Sequence, residues 1–349
     1  MDGHVYWEHP GSPPPVNTPM VNDPLHSTVV QLSRTAVAGK PYTVSEFNHP
    51  FPNDWASEGI PILAAYASLQ DWDAVIVYTF EPKRDANWQS YVGDPFDISL
   101  DPVRMTEMAT GALTFLRGDV KPATRTVTRS YTRDQMFESR RLARSEQPYF
   151  TPGFPLATPL VHGTRIASFD AASTTSFEAV DSIDITSDTK ELRWLTSHRD
   201  SGMVTVETPR TQALIGFVAA NGKSVRNLAA RLDTKFATLV LSSLDGKPIA
   251  NAGRLLLTAG SRVSNTGLKW NAERTRTTDQ GGPPSLIEPV SGSITLRDIA
   301  GARNVSISAL DGSGRPIGRP IAAARSAAGW TFPIGTPVTT WYVISVVRK

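Results

Sequence analysis

The spacing of hydrophobic residues changes repeatedly within the first 120 residues, which predicts strands interleaved with helices. In chain order these elements are strand His4–His9, helix Ser27–Val37, strand Tyr42–Phe47, helix Ile60–Leu69 and strand Ala74–Phe80. The last of these strands is almost continuously apolar, a pattern typical of a strand that helices cover on both faces. The repeated strand–helix order predicts a parallel α/β sheet.

A further helix has clear boundary signals in the sequence. Asp101 stands at the position of an N-cap, Pro102 at the first helical position, and Gly118 where a left-handed residue ends a helix. Between them, apolar residues recur at helical spacing, which we interpret as core packing.

Beyond residue 122 the pattern changes to short β-branched or alternating runs separated by turn signals. Examples are 202–208, 213–218, 237–241 and 341–347. These runs predict antiparallel β-sandwich structure. We therefore divide the chain into residues 1–122 and a β-sandwich region, residues 123–349, with two modules that would divide near 230–290.

Charge and composition narrow the function classes. The net charge is +2, but residues 1–115 contain five Lys or Arg against fourteen Asp or Glu, and the basic residues of the remainder are scattered singly. This pattern argues against nucleic-acid binding. The chain has no cysteine, which excludes thiolate chemistry, and no apolar run long enough to span a membrane. We expect no cofactor and no metal, and composition leaves the cellular compartment unknown.

The strongest candidate for chemistry is Glu46, near the end of the second predicted strand. Parallel sheets place functional side chains at the carboxyl ends of their strands. Asn48 and His49 follow in a Pro-rich loop, and His4, Tyr6 and Trp7 lie on the adjacent predicted strand. We expect His49 to act with Glu46 in catalysis, since a neutral imidazole beside a carboxylate serves as a general base.

Ser45 is a weaker candidate for a nucleophile. Side chains alternate along a strand, so Ser45 and Glu46 share one face only if a bulge interrupts the strand. Trp55 and Trp88 are expected to stack on sugar rings near the same rim.

The ordered segments Pro41–Asn48, Trp72–Phe80 and His4–Trp7 resemble the last strands of clan A glycoside hydrolases. The resemblance implies the end of a (β/α)8 barrel, with about three βα units, Glu46 as the nucleophile, and the neighbouring His and aromatic residues at the sugar site. Such enzymes often carry β-sandwich appendages, and the resemblance suggests a secreted or periplasmic ancestor.

The chain also departs from that family. A retaining glycosidase needs two carboxyl groups, and the family's acid/base glutamate follows an asparagine on an earlier strand. The sequence contains no Asn-Glu dipeptide. Three strands cannot close a barrel, so a truncated barrel would have open edges that favour a homo-oligomer.

Three functions remain open at this stage. The first is hydrolysis of a carbohydrate or small glycoside, with Glu46 as nucleophile or base and with His4, Tyr6, Trp7, Asn48, Trp55 and Trp88 binding the substrate. The second is a promiscuous carboxylesterase that acts on short-chain esters through the residual pocket. The third is a non-catalytic carbohydrate-binding or assembly protein.

Overall fold

The computed structural model describes residues 1–10, 17–81, 90–173, 182–196 and 201–348. Its first part alternates strands with helices: β1 (Asp2–Tyr6), α1 (Thr28–Ser33), β2 (Thr43–Asn48), α2 (Gly59–Leu69), β3 (Ala74–Val77) and α3 (Pro102–Leu116). The three strands form one parallel sheet in the order β1-β2-β3. The carboxyl ends of all three therefore lie at the same edge.

Local capping sets the helix starts in this part. Ser27 caps α1 and accepts a hydrogen bond from the Val30 amide. Asp101 caps α3 by accepting from the amides of Val103 and Arg104, as the sequence predicted.

The next segment is a small connecting unit. It comprises β4 (Thr126–Ser130), α4 (Arg133–Arg141), α5 (Thr158–Val161) and β5 (Gly163–Ser168), with β4 and β5 paired in parallel. A full capping box, formed by Thr132 and Gln135, begins α4.

The remainder of the chain is nearly all strand. Its elements are β6 (Asp184–Thr186), β7 (Leu192–Leu195), β8 (Met203–Glu207), β9 (Thr211–Gly216), α6 (Val218–Asn221), β10 (Leu228–Leu232), β11 (Ala237–Ser243), β12 (Arg254–Gly260), β13 (Val263–Thr266), β14 (Lys269–Trp270), β15 (Thr277–Asp279), β16 (Gly282–Ile287), β17 (Gly292–Leu296), β18 (Ala302–Ala309), β19 (Ile321–Ala322), β20 (Ala324–Ser326), β21 (Gly329–Ile334) and β22 (Trp341–Arg348).

A nine-stranded antiparallel sheet dominates this region, in the order β19-β18-β22-β12-β11-β9-β8-β7-β6. A four-stranded antiparallel sheet, β10-β17-β21-β20, shares a core with one face of it, in which Leu239 and Leu257 lie with Ile294 and Phe332. The hairpin pairs β13–β16 and β14–β15 extend beyond these sheets.

The other face of the nine-stranded sheet packs on the helices. One core cluster joins Leu63 and Tyr66 of α2 to Trp194, Val204 and Ile215 of the antiparallel sheet. Residues from both sides of position 122, the boundary predicted between the two regions, therefore share one core. The helices lie between the parallel sheet and the antiparallel sheet.

The predicted fold class, a partial (β/α) barrel followed by β-sandwich modules, is wrong. Strands make up 35% of the structure and helices 20%, most sheets are antiparallel, and no partial barrel pattern is evident. The physical reason is that α2 is buried on all sides and packs on α3, while α3 contacts β11 and β12 of the antiparallel sheet through a largely polar face. The two helices therefore form a shared inner layer instead of the outer ring of a barrel.

The predicted burial of the third strand on both faces is also wrong. Val75 and Val77 pack against the core, whereas Ile76 on the opposite face is 54% exposed. The parallel sheet thus has one face covered by helices and one open face, which carries Asp2, His4 and Tyr6 of β1. Within the described ranges, no helix has the length and apolar composition needed to span a bilayer.

Candidate functional site

A bulge in the central strand β2 brings two consecutive polar residues onto the open face. Val44 pairs with Gly3 while Glu46 pairs with His4, so Ser45 is an extra residue relative to β1. Against β3, Val44 pairs with Val75 and Phe47 with Val77. Because Val44 and Phe47 are both buried in the core, Ser45 and Glu46 between them both turn outward.

The imidazole of His4 lies between these two side chains. Its Nε2 is 2.8 Å from the Ser45 hydroxyl and 3.1 Å from Asp2 Oδ2, and its Nδ1 is 3.6 Å from Glu46 Oε2. The side chains of His4 and Glu46 are 52% and 34% exposed. The arrangement is that of a hydroxyl, an imidazole and a carboxylate in sequence, with the imidazole–carboxylate distance longer than a hydrogen bond.

Asp2 is a second carboxylate in this group. It accepts hydrogen bonds from the Ser45 hydroxyl at 2.5 Å, from the Thr43 hydroxyl at 2.7 Å and from the Ser45 amide at 3.1 Å. Hydrogen bonds from Ser45 and Thr43 lower the pKa of Asp2 to about 2. Asp2 is therefore ionised at neutral pH and is a weak base, so the imidazole is the better acceptor for the serine proton.

Tyr6 fixes the orientation of Glu46. Its hydroxyl donates to Glu46 Oε2 at 2.7 Å, and burial together with this carboxylate raises the pKa of the phenol. Tyr6 therefore stays protonated and keeps donating.

Aromatic rings form a wall beside Glu46. The Tyr6 ring contacts Phe96, His9 and Tyr78 at centroid distances of 5.1, 5.0 and 6.4 Å. Tyr78 and Ile76 leave apolar surface exposed next to the polar group. The open face thus combines a hydroxyl–imidazole–carboxylate group with an apolar surface.

Asn48 holds this wall in place through hydrogen bonds to its backbone. Its amide nitrogen donates to the carbonyls of Tyr78 at 2.6 Å and Phe96 at 2.9 Å. Its amide oxygen accepts from the buried guanidinium of Arg104 at 2.7 Å. Asn48, predicted to bind substrate, is 1% exposed and holds the aromatic residues in place.

His49, predicted to act with Glu46, lies in the core. Its ring stacks on Trp7 at 6.3 Å and lies close to Gly59, where an added Cβ would be 2.6 Å from the imidazole Cδ2. Burial, with a smaller effect of the Arg104 charge, lowers the pKa of His49 to about 3. The structure thus separates His49 from the open face.

The predicted tryptophans also lie outside the group. Trp7 is buried on the helix side of β1 and donates to the Thr18 carbonyl at 2.8 Å. Trp55 packs against Phe236 and Phe217 with ring centroids 4.9 and 5.6 Å apart, which joins the helical layer to the antiparallel sheet. Trp88 lies outside the described residues.

Of the residues singled out in the sequence, the structure brings His4, Tyr6, Ser45 and Glu46 together. Asp2 and Arg104 were missed. Asp2 and His4 alternate with buried residues at the start of β1. This alternation is the sequence pattern that would have placed Asp2 on the same face as His4. Among the described residues, no group of three or more His, Cys, Asp or Glu side chains is arranged to hold a metal ion.

No family profile, curated protein or solved structure matches the chain, and nothing in these comparisons identifies a relationship to clan A glycoside hydrolases.

Proposed function

We propose that the chain hydrolyses short esters on the open face of the parallel sheet. Ser45 is the nucleophile, His4 its general base, and Glu46 the carboxylate that orients the imidazole and stabilises its protonated form. The observation that carries the proposal is the His4 ring, whose Nε2 contacts the Ser45 hydroxyl beside Asp2 and whose Nδ1 faces Glu46.

The chemistry follows the general acyl-transfer route. The Ser45 proton passes to His4 Nε2 as the oxygen attacks the ester carbonyl, and the imidazolium returns the proton to the leaving alcohol as the carbonyl re-forms. Water then attacks the acyl-serine with His4 again as base, which releases the acid and restores the hydroxyl. The Ser45 hydroxyl, which donates to Asp2 in the resting structure, must first turn toward His4.

The substrate class follows from the surroundings. Tyr78, Phe96 and Ile76 offer apolar surface for a short acyl chain or an aryl leaving group. The group is half exposed, so charge on the transition state is stabilised less than in a water-excluded site. We therefore expect esters with good leaving groups to be hydrolysed, and amides not.

The glycosidase alternative is less well supported. A retaining glycosidase requires two carboxyl groups about 5–5.5 Å apart across the scissile bond. On this face Asp2 lies 3.1 Å from His4 Nε2 and Glu46 lies 3.6 Å from His4 Nδ1, so the imidazole occupies the space between the two carboxylates that a scissile bond would need.

The test compares hydrolysis of p-nitrophenyl acetate and butyrate by the wild-type chain and by Ser45→Ala, His4→Asn and Glu46→Gln. We expect kcat/KM to fall by about a hundredfold or more in the first two variants. A fluorophosphonate should label Ser45, located by peptide mass spectrometry, and the label should be lost in Ser45→Ala.

The matched control is His26→Asn. His26 is another half-exposed histidine paired with a carboxylate, at 2.8 Å from Asp23, so it controls for non-specific hydrolysis of activated esters by surface imidazoles. Full activity in Ser45→Ala would reject Ser45 as nucleophile. Hydrolysis of p-nitrophenyl glycosides that depends on Glu46, without ester hydrolysis, would favour the glycosidase alternative.

A further inference from the structure

A cleft of about 580 Å³ opens beside the aromatic wall, within the size range of small-molecule sites. The loops that follow the parallel strands line one side of it, around residues 8–10, 50–53 and 91–95. The hairpin region 265–281 lines the other side. Pro10 and Pro95 of this lining directly neighbour His9 and Phe96 of the aromatic wall.

Polar contacts hold the two sides at a fixed separation. Asn265 donates to the Val92 carbonyl at 2.8 Å and accepts from the Val92 amide at 3.2 Å. At the other end the Arg274 guanidinium pairs with the carboxylate of Asp54. The cleft is therefore preformed and does not have to be opened by a ligand.

The lining combines flat aromatic surface with hydrogen-bonding groups. The Trp270 indole lines the cleft and is held by the Arg274 guanidinium, 5.2 Å from its centroid. Tyr91 adds a second ring, and Asp94, Gln280 and Arg276 supply acceptors and donors. A pyranose ring presents an apolar C–H face and a rim of hydroxyls, which matches this combination.

Charge in the cleft disfavours an anionic ligand. The carboxylates of Glu8 and Asp94 line it together with the guanidinium of Arg276. Glu8 is already bonded to Thr18 and Asn53. The lining therefore has no excess of positive charge that a phosphate or polyanion would need.

We propose that this cleft binds a neutral carbohydrate, with a pyranose ring stacked on Trp270 and hydroxyls bonded to Gln280 and Asp94. This inference goes beyond ester hydrolysis and does not depend on it, because the cleft and the Ser45 group share no residue.

The experiment titrates the full chain with cellotetraose, xylotetraose, maltotetraose and chitotetraose at millimolar concentration. Isothermal titration calorimetry and tryptophan fluorescence report binding. We expect at least one of these sugars to bind, and Trp270→Ala to weaken that binding by about tenfold. Gln280→Ala should weaken it by about threefold.

Leu286→Ala is the matched control, because Leu286 is an exposed apolar residue on the same hairpin but outside the cleft. It should bind sugar like the wild type, as should Ser45→Ala, which separates this inference from the proposed function. If Trp270→Ala does not fold, Trp270→Phe, which keeps a smaller ring, replaces it and should show a weaker loss. The inference is overturned if none of the four sugars binds, or if both cleft variants bind with unchanged affinity.

Discussion

Burial, more than residue type, determines what His4 and His49 can do. His4 is half exposed and meets Ser45 and Glu46. His49 is fully buried, and neither ring nitrogen has a hydrogen-bond partner among the described residues. The sequence places both His4 and His49 beside the end of a predicted strand. It therefore could not show which of the two is available for catalysis and which is buried in the core.

The buried His49 should make the protein acid-sensitive. Its pKa is about 3 in the folded chain against about 6.5 when unfolded, so the unfolded state binds the proton more tightly. Stability is therefore fully present above about pH 6.5 and falls as the pH drops toward 3, by roughly 1.4 kcal/mol per pKa unit of difference.

Urea unfolding at a series of pH values, on the wild type and on His49→Phe, measures this effect. The variant removes the titrating group while it keeps a ring against Trp7. We expect the loss of stability between pH 6.5 and 4 to be smaller in the variant. Parallel pH curves would show that His49 does not carry the acid sensitivity.

At the scale of elements, the contact between α3 and β12 contains a buried carboxyl. Glu107 is fully buried with neither oxygen bonded to a described residue, and an added Cβ at Gly260 of β12 would lie 2.6 Å from Glu107 Oε1. Burial, together with the charge of Asp101, raises the pKa of Glu107 well above its ordinary value of 4.5. The folded chain therefore favours the protonated form of this carboxyl more than the unfolded chain does.

The raised pKa predicts alkaline sensitivity at this contact. The stability that the protonated carboxyl allows is fully present below about pH 4.5 and is lost as the pH rises toward the raised pKa of the folded chain. Glu107→Gln, which stays neutral, should lose less stability than the wild type as the pH is raised above about 4.5 in thermal unfolding. An equal loss in both proteins would contradict a protonated Glu107.

Asn48 connects β2 to the loop that carries Phe96, so its removal should loosen the aromatic wall. Asn48→Ala loses two buried hydrogen bonds to carbonyls and one to Arg104, and we expect a destabilisation of about 2–4 kcal/mol. If the wall binds the ester, KM should rise more than kcat falls.

Asn221→Ala is the control for this prediction. Asn221 also donates to two carbonyls, those of Ser201 and Phe217, but it lies in α6, between β9 and β10 of the antiparallel region. The Asn221→Ala variant should lower the free energy of unfolding without changing the KM for the ester. A KM that rises equally in both variants would show that general loosening, not the wall, is responsible.

Local signals in the sequence predicted elements well and their arrangement poorly. The N-cap at Asp101 and the strand containing Glu46 follow from a few adjacent residues. The bulge that turns Ser45 outward does not, because it arises where Val44 and Phe47 both enter the core, and alternation alone places Ser45 and Glu46 on opposite faces. The nine-stranded sheet pairs strands far apart in sequence, such as β12 with β22, which no local pattern encodes.

At the scale of the whole molecule, the open face of the parallel sheet leaves apolar side chains in contact with water. Parallel sheets are normally buried on both faces. Here β1 and β3 pair only with β2 among the described strands, and Ile76 and Tyr78 leave apolar side chains exposed on that face. A sheet with unpaired edges and one uncovered apolar face favours association with another chain.

We therefore expect the protein to form a homo-oligomer through the edge strand β3, around the exposed Ile76. Size-exclusion chromatography with light scattering should give a mass above that of one chain, and Ile76→Glu should shift it toward the monomer because a buried charge opposes association. Val338→Glu, which replaces an apolar residue of similar exposure on the loop between β21 and β22, should leave the mass unchanged. A wild-type chain that stays monomeric at high concentration would contradict this expectation and would show that the open face is stable in water.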